Sequence, residues 1–449
     1  MKPLPDGPKG TWIKGVLDDY RRDALGFFTA CARDYGDFVP LRFGPQKVFL
    51  LSHPDLIDEV LVQKYRSFVK GPALRNNRRV FGNGLLTSEG EFWRQQRKLA
   101  QPAFHRDRVN AYAEVMVDCT QRRIAQWRDG ETRDIHDEMM RVTMEIAAKT
   151  LFGTGVEDIA DEVAGCMHLL QTGVMRRFQA LVNLPDWVPT PTHLRLLRAV
   201  RTLDRIVYGF IDAGRKSDED RGDLLTALLN ARGEGGERMS DQQLRDEVLT
   251  LFLAGHETTA LALTWTLMLL AENPDAAARL HAEVDRVLEE RAPTIDDRPR
   301  LEYTEWVVLE SMRLYPPAWA IARTAIETCE IGGYRVPRGT MILMLQWTVH
   351  RDPRWFDQPE EFRPERWAGD FQKTLPRHAY FPFGGGPRTC IGNTFSMVEA
   401  VMLLATLVQS FSFRLAPSLS LVLQPAITLR PEHGLHMTVC RRDAPDLVK

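Results

Sequence analysis

The chain has 449 residues, enough for one large domain or for two or three average ones. Its 58 lysines and arginines nearly balance 60 aspartates and glutamates, so composition offers no sign of a nucleic-acid-binding protein. Hydrophobic residues make up 44% of the sequence, and a sizeable core is therefore expected. The six cysteines are scattered, without CxxC pairs or zinc-like spacing, which indicates a reducing cytoplasm rather than a disulfide framework.

Two stretches bear on membrane attachment. The first ten residues are rich in proline and glycine and lack an apolar core, so we expect no signal peptide and no transmembrane anchor. The apolar run Val248–Leu270 is long enough to cross a bilayer. It carries His256 and Glu257 near its middle, however, and a carboxylate at a bilayer centre is costly. This run is therefore predicted to be a buried core helix.

The first seventy residues mix helix and strand. Asp19–Tyr35 has helical spacing, and Phe38–Ser52 alternates around a turn at Gly44-Pro45-Gln46, which predicts a hairpin. His53-Pro54 opens a further helix that runs toward Gln63. A small β-rich region is thus expected at roughly residues 36–70.

Long helices dominate from Glu89 onward. Periodicity of the 3.6 type predicts helices at Phe92–Ala100, Val109–Trp127, Ile135–Leu151, Ile159–Val182 and Thr192–Lys216. Three prolines between Leu184 and Thr192 forbid helix around Trp187, and this segment is either a mobile lid over a pocket or a rigid connector.

The longest helix is marked at both ends. Ser240 and Gln243 form a capping-box pattern at its start, and Asn273-Pro274 ends it. Its thirty or so residues span roughly 45 Å, the width of a large domain. Further helices are predicted at Ala271–Glu290 and Tyr303–Leu314.

The C-terminal third returns to strands. Thr324–Leu345 and Phe411–Val439 are strand-like, and a helix is predicted from Ile391 onward. Without repeats or an obvious linker, the economical interpretation is one mainly α domain of residues 1–449. Its β-rich part comprises roughly residues 36–70, 324–345 and 411–440, and its helical part roughly residues 89–314 and 391–410.

The stretch Phe381–Gly392 contains three consecutive glycines and one cysteine. Glycine permits backbone angles closed to other residues, so a tight loop can press against a bound object. Cys390 lies where this loop enters a helix, close to amides that stabilise a thiolate. Cys390 is therefore either a metal ligand or, like most lone cysteines, a small buried hydrophobe.

An acid and an alcohol occur together in the middle of the longest helix. Gly255 weakens the helix there, and Thr258 can bond a carbonyl one turn back. Glu257 beside Thr258 suits the delivery of protons in a dry site. The alternative is a simple kink, with Glu257 in a salt bridge elsewhere.

Several charged residues have suggestive spacing. Glu310 and Arg313 share one helix face, and Arg366 offers a second arginine for a buried network that would fix the segment before the glycine loop. A second group of residues suits a ligand with two carboxylates. Each arginine of this group, taken alone, is more often a solvated surface residue. This group comprises Trp93, Arg97, Arg323 and Arg388.

These motifs together resemble the cytochrome P450 family. The pattern Phe383-x-x-Gly386-x-Arg388-x-Cys390-x-Gly392 looks like its haem-thiolate signature. The family's other motifs are matched in order by Trp93-x-x-x-Arg97, Ala254-Gly255-x-Glu257-Thr258, Glu310-x-x-Arg313 and Pro364-Glu365-Arg366. The resemblance implies the P450 fold, with haem between the long central helix and the cysteine loop.

The resemblance also implies roles for these residues. Cys390 would be the axial ligand of the iron of haem b, and thiolate ligation favours O–O cleavage. Glu257 and Thr258 would relay protons to dioxygen, and Glu310, Arg313 and Arg366 would form a structural triad. The remaining haem-binding residues implied are Phe383, Arg388, Gly392, Trp93, Arg97, Arg323, Ala254 and, more weakly, His350.

The implied activity is that of a monooxygenase, which inserts one atom of O2 into a C–H or C=C bond of a lipophilic small molecule. Electrons from NAD(P)H would arrive through a separate ferredoxin or flavodoxin and its reductase, and the enzyme is expected to be a cytoplasmic monomer of the soluble bacterial type. A peroxygenase or an isomerase-like haem-thiolate enzyme is the alternative, and a non-catalytic haem carrier is a third possibility with no support in the sequence.

The substrate is the least determined feature. Arg388, at a position where many small bacterial members have histidine, resembles membrane-type and fatty-acid-oxidising members. Among the pocket positions that the family implies, Trp319 and Phe81 add bulk and three arginines could meet an anionic head group, so a fatty acid or another elongated lipophile is the first expectation. A terpenoid, steroid or macrolide is the alternative. By position in the family, the pocket would be lined by Arg75, Phe81, Leu251, Ala254, Trp319, Ala320 and Leu435, with Arg78 and Arg79 also available to an anionic head group.

Overall fold

The computed structural model describes residues 2–75, 78, 82–153, 162–163, 165–166, 169–170, 173, 190–216, 222–233, 235–417 and 421–442. The predicted helix Ile159–Val182 falls largely outside these residues, and Trp187 and Phe81 lie wholly outside them. Helices predominate in the described part, and strands form smaller sheets, as the sequence predicts.

The N-terminal region contains the predicted hairpin. Strands β1 (Phe38–Phe43) and β2 (Gln46–Leu51) pair antiparallel around the turn, where Gly44 adopts a φ of +57°. Short elements follow the hairpin: α3 (Pro54–Asp58), a π-helical turn (Glu59–Gln63), β3 (Phe68–Lys70) and α4 (Pro72–Arg75). Preceding it, the single helix predicted over Asp19–Tyr35 is in fact two, α1 (Leu17–Arg22) and α2 (Ala24–Tyr35), because Asp23 caps the second by accepting from the Gly26 amide.

The helical part runs from α5 to α13. Its members are α5 (Gly90–Ala100), α6 (Arg106–Ala111), α7 (Ala113–Ile124), α8 (Ile135–Phe152), α9 (Pro191–Lys216), α10 (Leu224–Asn230), α11 (Asp241–Glu272), α12 (Pro274–Leu288) and α13 (Glu302–Leu314). The region predicted as Val109–Trp127 is divided into α6 and α7, and α10 was not predicted from the sequence.

Helix α11 is the longest in the described part of the chain. The Ser240 hydroxyl accepts from the Gln243 amide and the Gln243 side chain accepts from the Ser240 amide, so the predicted capping box is present. The helix is buried along most of its length and packs against α8, α13 and the last long helix. No helix among the described residues is long and apolar enough to span a membrane, which agrees with the interpretation of Val248–Leu270 as a core helix.

Short strands, two small helices and the long helix α16 complete the described part of the chain. They are β5 (Ile321–Ala325), β6 (Cys329–Ile331), β7 (Tyr334–Val336), β8 (Met341–Met344), α14 (Gln346–Val349), α15 (Phe371–Thr374), α16 (Asn393–Ser410), β9 (Phe411–Leu415), β10 (Leu423–Pro425), β11 (Leu429–Pro431) and β12 (His436–Arg441). A further strand, β4 (Thr132–Asp134), lies before α8.

The strands assemble by long-range pairing. The five-stranded sheet has the order β1-β2-β8-β5-β3, in which only β2 and β8 run parallel. A three-stranded sheet has the order β4-β12-β9, and β10 and β11 form a separate hairpin. The first sheet sets Lys70 of β3 directly opposite Arg323 of β5, which brings two cations together at its edge.

Candidate active site

The glycine loop is closed by its own backbone. The Cys390 amide donates to the Phe383 carbonyl at 2.9 Å, and the Gly384 amide donates to the Phe381 carbonyl at 2.9 Å. Gly386 has a φ of +67°, and a Cβ atom there would lie 2.0 Å from the carbonyl oxygen of Leu61. Glycine is required at this position by both conformation and contact, so the loop can hold its shape only with glycine at position 386.

Cys390 lies immediately before α16, as predicted. Its sulfur accepts a hydrogen bond from the Gly392 amide, the residue that caps this helix. Burial raises the pKa of the thiol, whereas the Gly392 amide and the Arg97 guanidinium oppose that rise. A bound metal ion would deprotonate such a thiol outright, because a coordinating sulfur is a thiolate.

The surroundings of Cys390 indicate an interior space. Its side chain is accessible, and yet it is so deeply placed that desolvation dominates its pKa. Ala254 is likewise exposed, although it lies in the middle of the buried helix α11, and a Cβ atom on the adjacent Gly255 would meet nothing within 4 Å. Both the loop and the helix therefore border space within the protein.

Trp93 and Arg97 come from α5, one turn apart. The Arg97 guanidinium donates to the Thr389 carbonyl at 2.9 Å and to the Gln101 side chain at 3.0 Å. These contacts place the guanidinium beside the residue before Cys390. Burial lowers the pKa of Arg97, and the sulfur of Cys390 opposes the change.

Arg388 and Arg323 belong to a cluster of cations around Trp93. The Arg388 guanidinium carbon lies 5.5 Å from the centre of the Trp93 ring, and the Lys70 ammonium lies 5.8 Å from it. Arg388 also pairs with the Glu89 carboxylate at 2.6 Å. Sequence reasoning missed Lys70 and Glu89, and no motif or spacing in the sequence marks either residue.

The cluster carries more positive than negative charge. Burial and repulsion by Arg388 lower the pKa of Arg323 to about 10, with Glu89 opposing them. Burial also lowers the pKa of Lys70 to about 7, with repulsion from Arg388 and Arg323 adding to the effect. A dianionic ligand beside these groups would stabilise their charged forms and raise both pKa values.

One polar atom in the cluster has no protein partner among the described residues. The Nε atom of Arg388 is buried and forms no hydrogen bond. Buried donors normally have partners, so this atom fits an acceptor supplied by a ligand. The accessible sulfur, the surplus of cations and this unpaired donor fit a haem group, whose iron needs an axial ligand and whose two propionates need cations.

Glu257 and Thr258 lie on α11 next to the accessible Ala254. Thr258 donates to the Ala254 carbonyl at 2.8 Å, the backbone contact predicted from the sequence. Helix α11 remains continuous through this point. Glu257 accepts a hydrogen bond of 2.8 Å from the Thr428 hydroxyl, which sequence reasoning missed because these residues are 171 positions apart.

The Glu310 network is present as predicted. Glu310 pairs with Arg313 at 2.9 Å and with Arg366 at 2.8 Å, and all three side chains are almost wholly buried. The Trp367 indole and the Arg363 amide donate to the same carboxylate at 2.9 and 3.0 Å. Arg313 also donates to the carbonyls of His350, Pro359 and Glu361, so the network fixes the segment that leads to the glycine loop.

His350 has a different position from the one the sequence suggested. Its Nε2 atom accepts from the Phe381 amide at 2.9 Å, and its ring packs against Tyr380 and Phe381. Burial, with Arg313 and Arg351 nearby, holds its pKa well below the usual range, so the ring is neutral. His350 therefore supports the start of the glycine loop. Among the described residues, it forms no contact with the cations around Trp93.

The expected pocket residues are placed unevenly. Arg75 is half-buried with a buried Nε atom that has no hydrogen bond within the described part of the chain, and Ala320 is also half-buried. Leu251 and Trp319 are largely buried. Leu435 has no accessible surface and lies next to the start of α8, so its assignment to the pocket is wrong. Phe81 lies outside the described residues.

The comparisons with known proteins agree with this geometry. The sequence profile described as Cytochrome P450 matches residues 5–435. The chain belongs to the cytochrome P450 family. A cyclooctat-9-en-7-ol 5-monooxygenase of Streptomyces melanosporofaciens is 40% identical over 88% of this chain and 86% of its own length. A cyclooctatin synthase of the same species is 41% identical over 90% and 88% of the two chains, and a pentalenene oxygenase of Streptomyces avermitilis is 35% identical over 91% of both.

Membership has direct consequences for this P450. It is a monooxygenase of the haem-iron type, and the family implies a haem-thiolate centre and dioxygen as co-substrate. The mainly helical fold with a smaller β region is the P450 fold. Which residues carry the reaction, and on which substrate, is proposed below.

Proposed function

We propose that this P450 oxidises a cyclic terpenoid, with electrons from NAD(P)H delivered by a separate ferredoxin or flavodoxin and its reductase. One atom of O2 enters a C–H or C=C bond of the substrate and the other leaves as water. The observation that carries the oxidation chemistry of this proposal is Cys390. Its sulfur is accessible although it lies deep in the protein, and it accepts a hydrogen bond from the Gly392 amide at the start of α16.

The proximal side is assigned to the glycine loop. When bound, haem would supply the iron that activates dioxygen, and the Cys390 thiolate would hold that iron. The hydrogen bond from the Gly392 amide to the Cys390 sulfur would withdraw electron density from the thiolate. Phe383, whose carbonyl accepts from the Cys390 amide, packs against the hydrophobic core beside the loop.

The propionates are assigned to the cation cluster. Trp93, Arg97, Arg323 and Arg388 are the residues implied by the family motifs, and Lys70 lies among them. Their burial excludes water, and charge-assisted hydrogen bonds are stronger in such surroundings. The cluster would thus orient haem and neutralise its two carboxylates together.

The distal side is assigned to α11. Ala254 gives the helix a small side chain where it borders the interior space, which leaves room for the ring and for dioxygen. The hydroxyl of Thr258 donates to the Ala254 carbonyl, so its lone pairs remain available to accept a proton donor. Glu257, hydrogen-bonded at its Oε1 atom, is the acid that replaces each proton passed inward.

The substrate class follows from two observations. The three relatives compared above are named for the oxidation of cyclic terpenoids or for making one. Arg78, which the fatty-acid hypothesis assigned to an anionic head group, instead donates to the Thr87 carbonyl at 2.9 and 3.0 Å. Within the described residues the candidate pocket wall is mostly apolar, which suits a hydrocarbon ring system better than a carboxylate.

The electron donor is inferred from charge. Arg94, Lys98 and Arg106 are exposed on α5 and α6, near Arg97 and the cysteine loop. Such a surface suits an acidic partner, and its contribution to the association rate should fall with ionic strength. Reduction of the ferric enzyme by a ferredoxin should therefore slow as salt is raised, whereas reduction by dithionite should not show this partner-dependent decline.

The test of the haem assignment is spectroscopic. The reduced carbonyl complex should show the Soret band typical of thiolate ligation, and Cys390→His should replace it with an imidazole-type band. Cys440→Ala, a change at another cysteine, is the matched control and should leave the spectrum unchanged. A thiolate-type band that persists in Cys390→His would exclude this residue as the ligand.

The test of the substrate class is a titration of the ferric enzyme. Cyclic diterpene and sesquiterpene alcohols should shift the iron from low to high spin, and fatty acids of equal carbon number should do so at least tenfold more weakly. The reverse ranking would contradict the terpenoid proposal and restore the fatty-acid one.

A further inference from the structure

The hairpin of β10 and β11 lies outside the set of site residues predicted from the sequence. Leu423 pairs with Pro431 and Pro425 with Leu429, so the hairpin turns at Ala426–Thr428. The turn is closed by a hydrogen bond of 3.0 Å from the Ala426 amide to the Thr428 carbonyl. Its tip lies against α11, and Thr428 is only 6% exposed.

Thr428 holds the carboxyl group of Glu257 from outside its helix. Its Oγ1 atom donates to Glu257 Oε1 at 2.8 Å. Threonine is stiff at χ1 because its Cβ carries two heavy atoms, so the donor is held in one direction. The bond is partly buried, and its length is that of a well-formed hydrogen bond between a hydroxyl and a carboxyl group.

The helix itself does not orient Glu257 toward Thr258. Adjacent positions on an α-helix point about 100° apart, and residues i and i+1 do not face each other. The carboxyl group therefore needs an anchor beyond α11 if it is to keep one rotamer near the Thr258 hydroxyl. Thr428 supplies such an anchor.

The hairpin is clamped at both sides of its tip. The Trp319 indole donates to the Ala426 carbonyl at 2.8 Å, and the Trp265 indole donates to the Leu429 carbonyl at 3.1 Å. The Leu429 amide in turn donates to the Pro317 carbonyl at 2.9 Å. Both tryptophans are buried, so the position of the Thr428 hydroxyl is fixed by the scaffold.

Other charged groups also face this carboxylate. Burial lowers the pKa of His136 at the start of α8 and of His256 on α11, and in both cases the Glu257 carboxylate opposes the change. Arg430 of β11 adds to the lowering of the His136 pKa. Among the contacts described here, the direct hydrogen bond from Thr428 fixes one of its oxygens.

We propose that Thr428 is a positioning residue that holds Glu257 in the orientation from which it delivers protons through Thr258. The proposal rests on the proton-delivery role given to Glu257 above. Thr428 transfers no proton itself, and each proton that Glu257 passes on is replaced from solvent.

The first test needs no substrate. In the ferric holoenzyme, the infrared band of the Glu257 carboxyl group is identified by its absence from Glu257→Gln. Thr428→Val has nearly the same shape but no hydroxyl, and should shift this band, whereas Thr428→Ser should leave it close to the wild-type position. Thr266→Val removes another buried hydroxyl, which bonds only the Ala262 carbonyl on the same helix, and serves as the matched control.

The second test measures coupling during turnover, with the cyclic terpenoid alcohol that gives the largest spin-state shift. Thr428→Val should lower the fraction of electrons recovered in product about five- to tenfold and raise peroxide release correspondingly, since one oriented hydrogen bond is lost. It should also change the solvent isotope effect. Thr428→Ser should restore coupling to within about twofold.

The outcomes separate the inference from the proposed function. If Glu257→Gln stays fully coupled, the proton-delivery role of Glu257 fails, and the inference fails with it. If Glu257→Gln uncouples the enzyme but Thr428→Val does not, and the infrared band is unmoved, only the positioning role is overturned. Should Thr428→Val lose haem, Thr428→Ala and Thr428→Ser provide the same comparison, with alanine expected to behave as a variant without the donor.

Discussion

The Glu310 network and the cation cluster around Trp93 are both buried and charged, but they differ in how completely they are paired. Glu310 accepts hydrogen bonds from Arg313, Arg366, Trp367 and the Arg363 amide. The cluster instead brings together three cations, Lys70, Arg323 and Arg388, and within the described residues the Nε atom of Arg388 forms no hydrogen bond although Arg388 pairs with Glu89.

The difference follows from what each region does. A buried charge that is fully hydrogen-bonded within the protein stabilises one arrangement of the chain, and removing one partner is strongly destabilising. A region with surplus charge and lowered pKa values is less favourable on its own and gains from a ligand of opposite charge. The first region therefore belongs to the frame of the protein, and we infer that the second belongs to its binding site.

The largest expected effect is the loss of Glu310. Glu310→Gln should lower the free energy of unfolding of the holoenzyme by about 3–5 kcal/mol, because Arg313 would be left as a buried, unpaired charge. Urea titration followed by circular dichroism measures this loss. The matched control is Glu91→Gln, which breaks the Glu91–Arg94 pair at the same i, i+3 spacing on the surface and should cost less than about 1 kcal/mol.

A similar loss in both variants would mean that burial of the Glu310 pair contributes nothing. Burial would then not distinguish the Glu310 network from an ion pair on the surface.

The second prediction concerns the cation cluster. Arg388→Gln should weaken haem binding by about 10- to 100-fold, because a charge-assisted contact to a propionate is lost. It should destabilise the haem-free protein less than Glu310→Gln does, because Lys70 and Arg323 remain beside Glu89 after its pair with Arg388 is lost. Transfer of haem to apomyoglobin measures the affinity. Arg354→Gln, which breaks surface pairs with Asp37 and Asp352, is the control and should leave haem affinity unchanged.

A large loss of apoprotein stability in Arg388→Gln would place Arg388 in the frame of the protein instead. Its predicted ligand role would then fail.

The sequence predicted the frame better than the site, for a physical reason. The capping box at Ser240 and the hairpin turn at Gly44 are local signals, because the atoms that interact lie within a few residues. Glu310 and Arg313 are also one helical turn apart. Their partner Arg366 lies more than fifty residues away, and it was expected in the network because it is an arginine in an otherwise aromatic segment.

The errors share one feature: the decisive contact joins distant parts of the chain. Thr428 contacts Glu257 across 171 residues, and Lys70 meets Arg323 only because β3 pairs with β5. Leu435, expected in the pocket by its position in the family, instead contacts Asp134 and Ile135 about 300 residues earlier in the chain and has no accessible surface. A sequence offers no local signal for such contacts.

A pH dependence of stability is expected from Glu399 on α16. This carboxyl group is buried, its Oε2 atom has no hydrogen bond in the described part of the chain, and burial raises its pKa to about 8 despite a contact with Thr259. Its unfolded value is near 4.5. Between these values the folded protein retains a proton that the unfolded chain has lost, so stability falls as pH rises through that window.

Glu399→Gln should remove this pH dependence of stability. The difference in unfolding free energy between the variant and the wild type should therefore shift in favour of the variant by about 1 kcal/mol per pH unit between pH 5 and 8, and should level off above pH 8. Glu247, whose pKa is raised to about 7 by burial, acts in the same direction, but it is common to both proteins and cancels in the difference. If the difference in unfolding free energy does not change with pH, Glu399 is ionised in the folded protein. The helix that follows Cys390 would then carry a buried, unpaired charge, as the cation cluster does.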